Sequence, residues 1–296
     1  MSDATGFALV DKEQGWTSHD VVAKARGVFA TRKIGHAGTL DPMATGLLVL
    51  GLGRATRLLR FITDQPKEYR AVACLGVGTD TLDADGKEVY RREMAVGRGD
   101  VATAMSGFVG SIQQTPPMVS AVKVGGRRLH ELARRGEEVE RPPRTVRVDR
   151  LDLENFEPGP FPKVSIRVVG GSGLYVRVLA DDIGRALGGR AHLTALRRVR
   201  NGLLRVDGAR RIGHLVALRT ESRLGEGVLP PAEGLTHLPR VEVMGALARA
   251  VCNGRYIAPG TDAEPAGGLV RVMSRGRLLA VYRSRGDELV PEVVLG

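Results

Sequence analysis

The stretch Gly35-His36-Ala37-Gly38-Thr39-Leu40-Asp41-Pro42-Met43-Ala44-Thr45-Gly46 places one carboxylate, Asp41, in a glycine-punctuated loop just ahead of an apolar run. The following proline pushes Asp41 toward extended or turn backbone. An Asp-Pro pair by itself marks a turn, and three features add chemistry to this one. Small residues at Gly35, Ala37, Gly38 and Gly46 let another chain approach closely. His36 lies five positions upstream. The chain carries a formal charge of +11, so an accessible carboxylate faces an anionic partner. Such an arrangement suits a nucleophilic or acid–base carboxylate acting on nucleic acid.

Other chemistries find less support. Cys74 and Cys252 lie far apart and form no metal-ligand spacing, and the Pro-Cys-x-x-Cys of zinc deaminases is absent. The acidic run Thr79-Asp80-Thr81-Leu82-Asp83-Ala84-Asp85-Gly86 has the wrong register and no terminal glutamate for a calcium loop. Gly51-Leu52-Gly53-Arg54 lacks the third glycine of a dinucleotide fingerprint. No metal and no cofactor are expected.

The elements that position the loop follow from periodicity. Gly6–Val10 reads as a short strand. Ser18 reads as the N-cap of a helix whose apolar positions are Val21, Val22, Ala25, Val28 and Phe29. Leu47–Leu50 is a buried strand or a buried helical turn. Thr56–Ile62 and Ala102–Phe108 carry helical periodicity, and Lys67–Leu75 reads as a strand. Val164–Val169 and Leu174–Leu179 read as strands joined by Gly170-Gly171-Ser172-Gly173, with a helix beginning at Asp182. Gly225–Leu235, containing Pro230-Pro231, reads as a linker between separable cores. Beyond it come a helix over Val243–Cys252 and strands at Leu269–Met273, Leu278–Tyr282 and Val290–Val294, with a hairpin turn at Ser274-Arg275-Gly276.

Composition names the partner class. A chain of 296 residues with 43% hydrophobic content can hold one large domain and a small one. Its pI of about 10.2 points to a polyanion. From Arg185 to Arg211 there are eight arginines and one acid, Asp207, a one-sided run that suits backbone phosphates. No apolar run reaches about 18 residues, so no membrane span is expected. The N-terminus lacks a basic leader. With two distant cysteines this gives a cytoplasmic protein.

The loop around Asp41 resembles the catalytic loop of the bacterial tRNA pseudouridine-55 synthases, whose pattern is G-H-x-G-T-L-D-P-x-A-T-G, and the likeness extends across most of the chain. It implies an α/β (α+β) fold: a mixed, largely antiparallel pseudouridine-synthase sheet with flanking helices and a thumb insertion, plus a small β-rich PUA-like module. The expected boundaries are 1–232 for the catalytic domain, with the thumb at about 114–145, and 238–296 for the RNA-binding module.

The resemblance also assigns residues. Asp41 is the nucleophile, attacking C1′ or C6 of the target uridine. Tyr69, in Lys67-Glu68-Tyr69-Arg70-Ala71, stacks on the base, and Tyr175 packs against it from the other side. Arg177, in Gly173-Leu174-Tyr175-Val176-Arg177, pairs with Asp41 and keeps it ionised. Leu196, in Leu193-Thr194-Ala195-Leu196-Arg197-Arg198, lies at the base pocket. His36 stacks in the gap left by the flipped base. Lys123, Arg127, Arg128, Arg134 and Arg135 of the thumb, with Arg197 and Arg198, contact RNA. Where the family opens its third segment with Cys-Ser, this chain has Gly170-Gly171, which implies a looser turn. The implied activity is conversion of uridine 55 of tRNA to pseudouridine by a monomer that engages the T arm, with the acceptor stem meeting the C-terminal module. The competing reading is an RNA-binding or tRNA-folding factor without essential catalysis. Asp41 separates the two, because a pure binder gains nothing from an anion facing phosphate.

Overall fold

The computed structural model describes residues 5–118, 123–124, 127–128, 139–258 and 268–295. Its strands in chain order are β1 (Gly6–Lys12), β2 (Ile34–His36), β3 (Thr45–Leu52), β4 (Lys67–Leu75), β5 (Val77–Thr79), β6 (Glu88–Arg91), β7 (Gly110–Gln114), β8 (Lys123–Val124), β9 (Arg127–Arg128), β10 (Arg144–Glu157), β11 (Lys163–Gly170), β12 (Ala191–Asn201), β13 (Leu204–Arg205), β14 (Arg240–Glu242), β15 (Leu269–Ser274), β16 (Arg277–Arg285) and β17 (Glu288–Val294). The main sheet has the order β1-β3-β12-β4-β11-β10-β7, with β2 on β3 and β13 on β12. It is antiparallel except where β12 meets β3, pairing Arg197 with Thr45 and Arg198 with Gly46. A second sheet, β14-β15-β16-β17, forms the C-terminal module. This is the mixed, largely antiparallel α/β architecture expected.

The run Leu47–Leu50 resolves as strand β3, and its burial explains the ambiguity of its sequence. Leu48 and Leu50 join Val21, Val22, Val28 and Leu179 in one core cluster. Leu47 and Val49 point the other way, into a cluster with Phe7, Leu58, Phe61, Met273, Leu278, Val281 and Leu295. A strand covered on both faces shows no polar alternation. The second cluster also joins the C-terminal sheet to the first domain. Beneath it Arg54 and Arg57 donate to the Leu295 and Val294 carbonyls at 2.7 Å each, and Arg60 pairs with Glu292 at 2.7 Å.

Three local expectations change. Leu174–Leu179 is not a strand: the helix expected from Asp182 already begins at Val176 and runs to Ala186. Its first turn is buried at Val176, Arg177, Val178, Leu179 and Ala180, so the apolar alternation around Arg177 imitates a strand. Ser18 is not the cap of the Ser18–Val28 helix. Thr17 caps it in a reciprocal box with Asp20. Finally, Gly225–Leu235 is not a free linker. Leu229 exchanges backbone hydrogen bonds with Phe7 at 2.7 and 2.8 Å, and Gly234 packs against the Phe7 ring. Val228, Leu229 and Leu235 carry apolar surface that the sheet covers.

Candidate active site

The Asp41 loop runs from the end of β2 to the start of β3 and is tied down on every side. Ser18, relieved of capping, accepts from the Leu40 N–H at 2.8 Å and donates to the Leu40 carbonyl at 3.1 Å. Lys12, buried in β1, donates to the carbonyls of Trp16 (2.6 Å) and Pro42 (3.2 Å). Asn201 donates to the Ala37 carbonyl at 3.2 Å. Arg198 is fully buried and spreads its guanidinium over the carbonyls of Leu47 (2.7 Å), Gly38 (3.1 Å) and Thr39 (3.4 Å). Buried polar side chains hydrogen-bonded to loop carbonyls rigidify the backbone they touch.

Asp41 lies at one side of a cavity of about 350 Å³ that Tyr69, Tyr175, Arg177, Leu196, Lys67 and Arg198 help to line. Tyr69 comes from β4 and Leu196 from β12, both buried. Tyr175 stands just before the Val176–Ala186 helix. Its N–H donates to Gln114 Oε1 at 3.0 Å and its carbonyl accepts from Gln114 Nε2 at 3.3 Å. Arg177 Nε lies 2.9 Å from Asp41 Oδ2, and the arginine side chain is only 2% exposed. Its Nη1 reaches Asp83 Oδ2 at 3.2 Å and the Thr81 carbonyl at 2.6 Å. The acidic loop therefore holds the arginine that holds Asp41.

The charge balance differs in weight from the expected one. Burial pushes the Asp41 carboxyl above its ordinary value and Asp83 pushes it the same way, whereas Arg177 and Lys12 pull it down. The arginine opposes neutralisation without overcoming the burial. Lys12 is itself lowered to about 8 by burial. Lys67, whose Nζ donates to the Thr63 and Gln65 carbonyls at 2.7 and 2.9 Å, is lowered to about 8 by burial and by Arg198.

Six of the assigned residues converge on this cavity: Asp41, Tyr69, Tyr175, Arg177, Leu196 and Arg198. His36 stands outside its lining. It is half-buried at the end of β2, edge-on to His19 with ring centroids 5.8 Å apart, and burial and His19 lower its pKa. Arg198, expected on RNA phosphates, is instead committed to the loop carbonyls, and Arg197 makes a bidentate pair with Asp11 at 2.9 Å.

The whole one-sided run is answered within the fold. Arg185 and Arg190 reach Asp181, Arg200 reaches Glu68, Arg205 reaches Asp207, Arg210 reaches the Glu226 carbonyl and Arg211 reaches Glu13. Most of these acids are remote in the chain, so local charge counting missed them. Lys123 and Arg128 pair across the β8–β9 hairpin beside Val124 and Arg127, while Arg134 and Arg135 lie outside the described residues. Gly170 is a tight contact, with no looseness in its packing: a Cβ there would lie 2.5 Å from Leu174 Cδ2 and 2.7 Å from the Arg147 carbonyl oxygen.

Sequence reading missed Lys12, Ser18, Asp83 and Gln114. Of these, Ser18 stood out only as a supposed helix cap and Asp83 only as part of the acidic run. Among the described residues no group of three or more His, Cys, Asp or Glu side chains is arranged to hold a metal, and no helix is long and apolar enough to cross a membrane.

With this geometry in view, the comparisons with known proteins are direct. Residues 26–176 match the model of the TruB family pseudouridylate synthase N-terminal domain. The chain is 47% identical to a tRNA pseudouridine synthase B of Symbiobacterium thermophilum over 87% of this chain and 84% of that one. It is 41% identical to one of Thermobifida fusca over 98% of both. Its fold matches the structure of an H/ACA RNP bound to a substrate RNA containing 2′-deoxyuridine, with TM-score 0.77 and 26% identity over 99% of this chain and 85% of that one. A Cbf5-Nop10-Gar1 complex matches at TM-score 0.76 and 27% identity, over 98% and 84% respectively.

Proposed function

This chain belongs to the TruB family of pseudouridylate synthases, and on that premise we propose that it isomerises uridine 55 in the T loop of tRNA to pseudouridine, with Asp41 as nucleophile. The observation that carries this reading is the Asp41–Arg177 pair at 2.9 Å, set in the wall of a cavity that Tyr69 and Leu196 also line. A flipped uracil stacks on Tyr69, with Tyr175 on the other side. Asp41 attacks C1′ or C6, the N1–C1′ bond breaks, the ring turns, C5 joins C1′, and the bond to Asp41 breaks to return the free carboxylate. The C5 proton is released and N1 regains one, so no oxidant, reductant or metal enters the balance.

Residues 1–232 form the catalytic domain in this reading, with the thumb at about 114–145. Residues 238–296 form a PUA-like module for the acceptor stem while the thumb grips the T arm. His36 fills the gap in the T loop. The protein works as a cytoplasmic monomer. The relatives named tRNA pseudouridine synthase B support the choice of tRNA.

The test is Asp41→Asn, which keeps the shape and removes the nucleophile. Release of tritium from [5-³H]uridine in tRNA should stop while filter binding to the same tRNA persists. Near-normal turnover by the variant would falsify the assignment.

A further inference from the structure

The cavity beside Asp41 contains more positive charge than the Asp41–Arg177 pair uses. Two cations on its wall, Lys67 and Arg198, have no carboxylate hydrogen-bonded or ion-paired to them among the described residues. Both are buried, at 6% and 0% exposure. They adjoin one point: a Cβ at Gly38 would lie 3.5 Å from Lys67 Cε and 3.6 Å from Arg198 Nη1. Gly38, at φ +94°, keeps that point empty. Lys67 spends two of its three donors on carbonyls, and Arg198 has two N–H groups beyond the three carbonyl contacts. Burying two like charges side by side is costly. Burial and then Arg198 lower the Lys67 pKa, and Asp64 raises it. Such a pair is suited to a passing negative charge within the cavity.

The reaction proposed above generates one, and this inference rests on that reading. If Asp41 attacks C1′, the N1–C1′ electron pair leaves with the ring, whose charge spreads onto O2 and O4. If Asp41 adds to C6, the C5–C6 π pair moves through C4 onto O4. On the first route C5 displaces Asp41 from C1′, then loses its proton while N1 gains one; on the second the N1–C1′ pair goes to N1, which is protonated, C5 bonds C1′, and loss of the C5 proton expels Asp41 from C6. We propose that Lys67 and Arg198 form an oxyanion site for the uracil carbonyl oxygens, with Lys67 as a further catalytic residue. A preorganised donor aimed at developing charge is worth most in a water-poor site. A backbone phosphate is the weaker candidate, because both cations lie inside the cavity with the base-holding Tyr69 and Leu196.

Lys67→Met, Lys67→Arg and wild type are compared by single-turnover tritium release and by filter binding of the same tRNA, across a pH series. Lys67→Met should lose about 100-fold in rate with its Kd for tRNA unchanged, and Lys67→Arg should recover most of it. Lys67 acts protonated, so the wild-type rate should fall as pH rises through about 8, and Lys67→Arg should keep its rate there. A near-wild-type rate for Lys67→Met overturns the proposal. So does a loss confined to Kd with a shallower salt dependence, which would place a phosphate at Lys67. Should Lys67→Met melt early, the other two proteins decide: an alkaline fall equal in wild type and Lys67→Arg rules Lys67 out. A wild-type protein that releases no tritium indicts the parent reading instead.

Discussion

At the scale of single residues, Asp41 is set by opposing influences of which burial is the largest. Burial and Asp83 raise its pKa, and Arg177 and Lys12 lower it. In the proposed role of nucleophile Asp41 acts ionised, so activity is expected above the folded pKa and lost as pH falls through it. Arg177→Met removes the largest lowering charge. The acid limb of kcat should therefore move to higher pH, and the variant should regain activity as pH rises. Breaking a buried pair costs roughly 3–5 kcal/mol; because Asp41 keeps 31% of its side chain exposed and can protonate, the lower end is expected. Arg177→Lys keeps the charge but loses the fork that spans Asp41, Asp83 and Thr81, so its rate should fall with little rescue by pH. A lysine variant matching wild type throughout would show that the fork has no role. Asp83→Asn should shift the acid limb the opposite way, to lower pH. Pre-steady-state turnover across the pH range checks all three. Asp41 and Arg177 were legible because short motifs surround them. Lys12, Ser18 and Gln114 were not, because each acts on backbone atoms that no side-chain motif marks.

At the scale of elements, one hydroxyl couples a helix to the catalytic loop. Ser18→Ala leaves the Leu40 N–H and carbonyl without their partner, and stranding a buried polar group costs about 1–3 kcal/mol. The Thr17–Asp20 box remains, so helix content by circular dichroism should hold while Tm and kcat fall. A variant with unchanged kcat would mean that the remaining ties fix the loop without Ser18. The joint between β3 and β12 is equally specific. Gly46 has φ +98° and its missing Cβ would collide with the Arg198 backbone carbonyl. Gly46→Ala should thus cost more than the 1–3 kcal/mol of an unfavourable φ alone, read as a lowered urea midpoint. Strands β1, β4, β11, β15 and β16 were readable from periodicity, whereas β10, β12 and the strand order emerge only in the structure. The segment at Arg177 was not, because a helix start buried on all sides shows alternating valines and no polar face. The arginine run failed similarly: its acids, Asp11, Glu13 and Glu68, come from other strands and loops.

At the scale of the molecule, RNA affinity and structural integrity are expected to separate. Since Arg197 pairs with Asp11 and Arg198 is buried in the cavity wall, the proposed phosphate contacts are expected to fall mainly on the thumb arginines. Replacing Arg127, Arg128, Arg134 and Arg135 with alanine should flatten the log–log salt dependence of tRNA binding by about 0.7–0.9 for each lost contact. An unchanged slope would place the RNA elsewhere. Removing the C-terminal module is expected to do more than weaken affinity. Leu47, Val49, Leu58 and Phe61 share a core with Met273, Leu278, Val281 and Leu295, so a chain cut after Leu235 should expose an apolar face, melt lower than the full protein and aggregate. Thermal unfolding with light scattering tests this. The module itself was legible from its hairpin and strands. Its attachment was not, because a Pro-Pro and glycine-rich stretch looks like a linker whether or not its leucines dock.

The clamp on the catalytic loop also bears on how the protein is made. Arg198 secures the Gly38 carbonyl from 160 residues downstream, and the strand carrying it supplies the parallel edge for β3. During synthesis the loop emerges early with its ties to Lys12 and Ser18, but it waits for those from Arg198 and Asn201 until β12 has left the ribosome. Closing so long a loop is slow. A nascent chain stalled before Asn201 should therefore be inert toward RNA however long it is left, and competence should appear abruptly as translation passes that point.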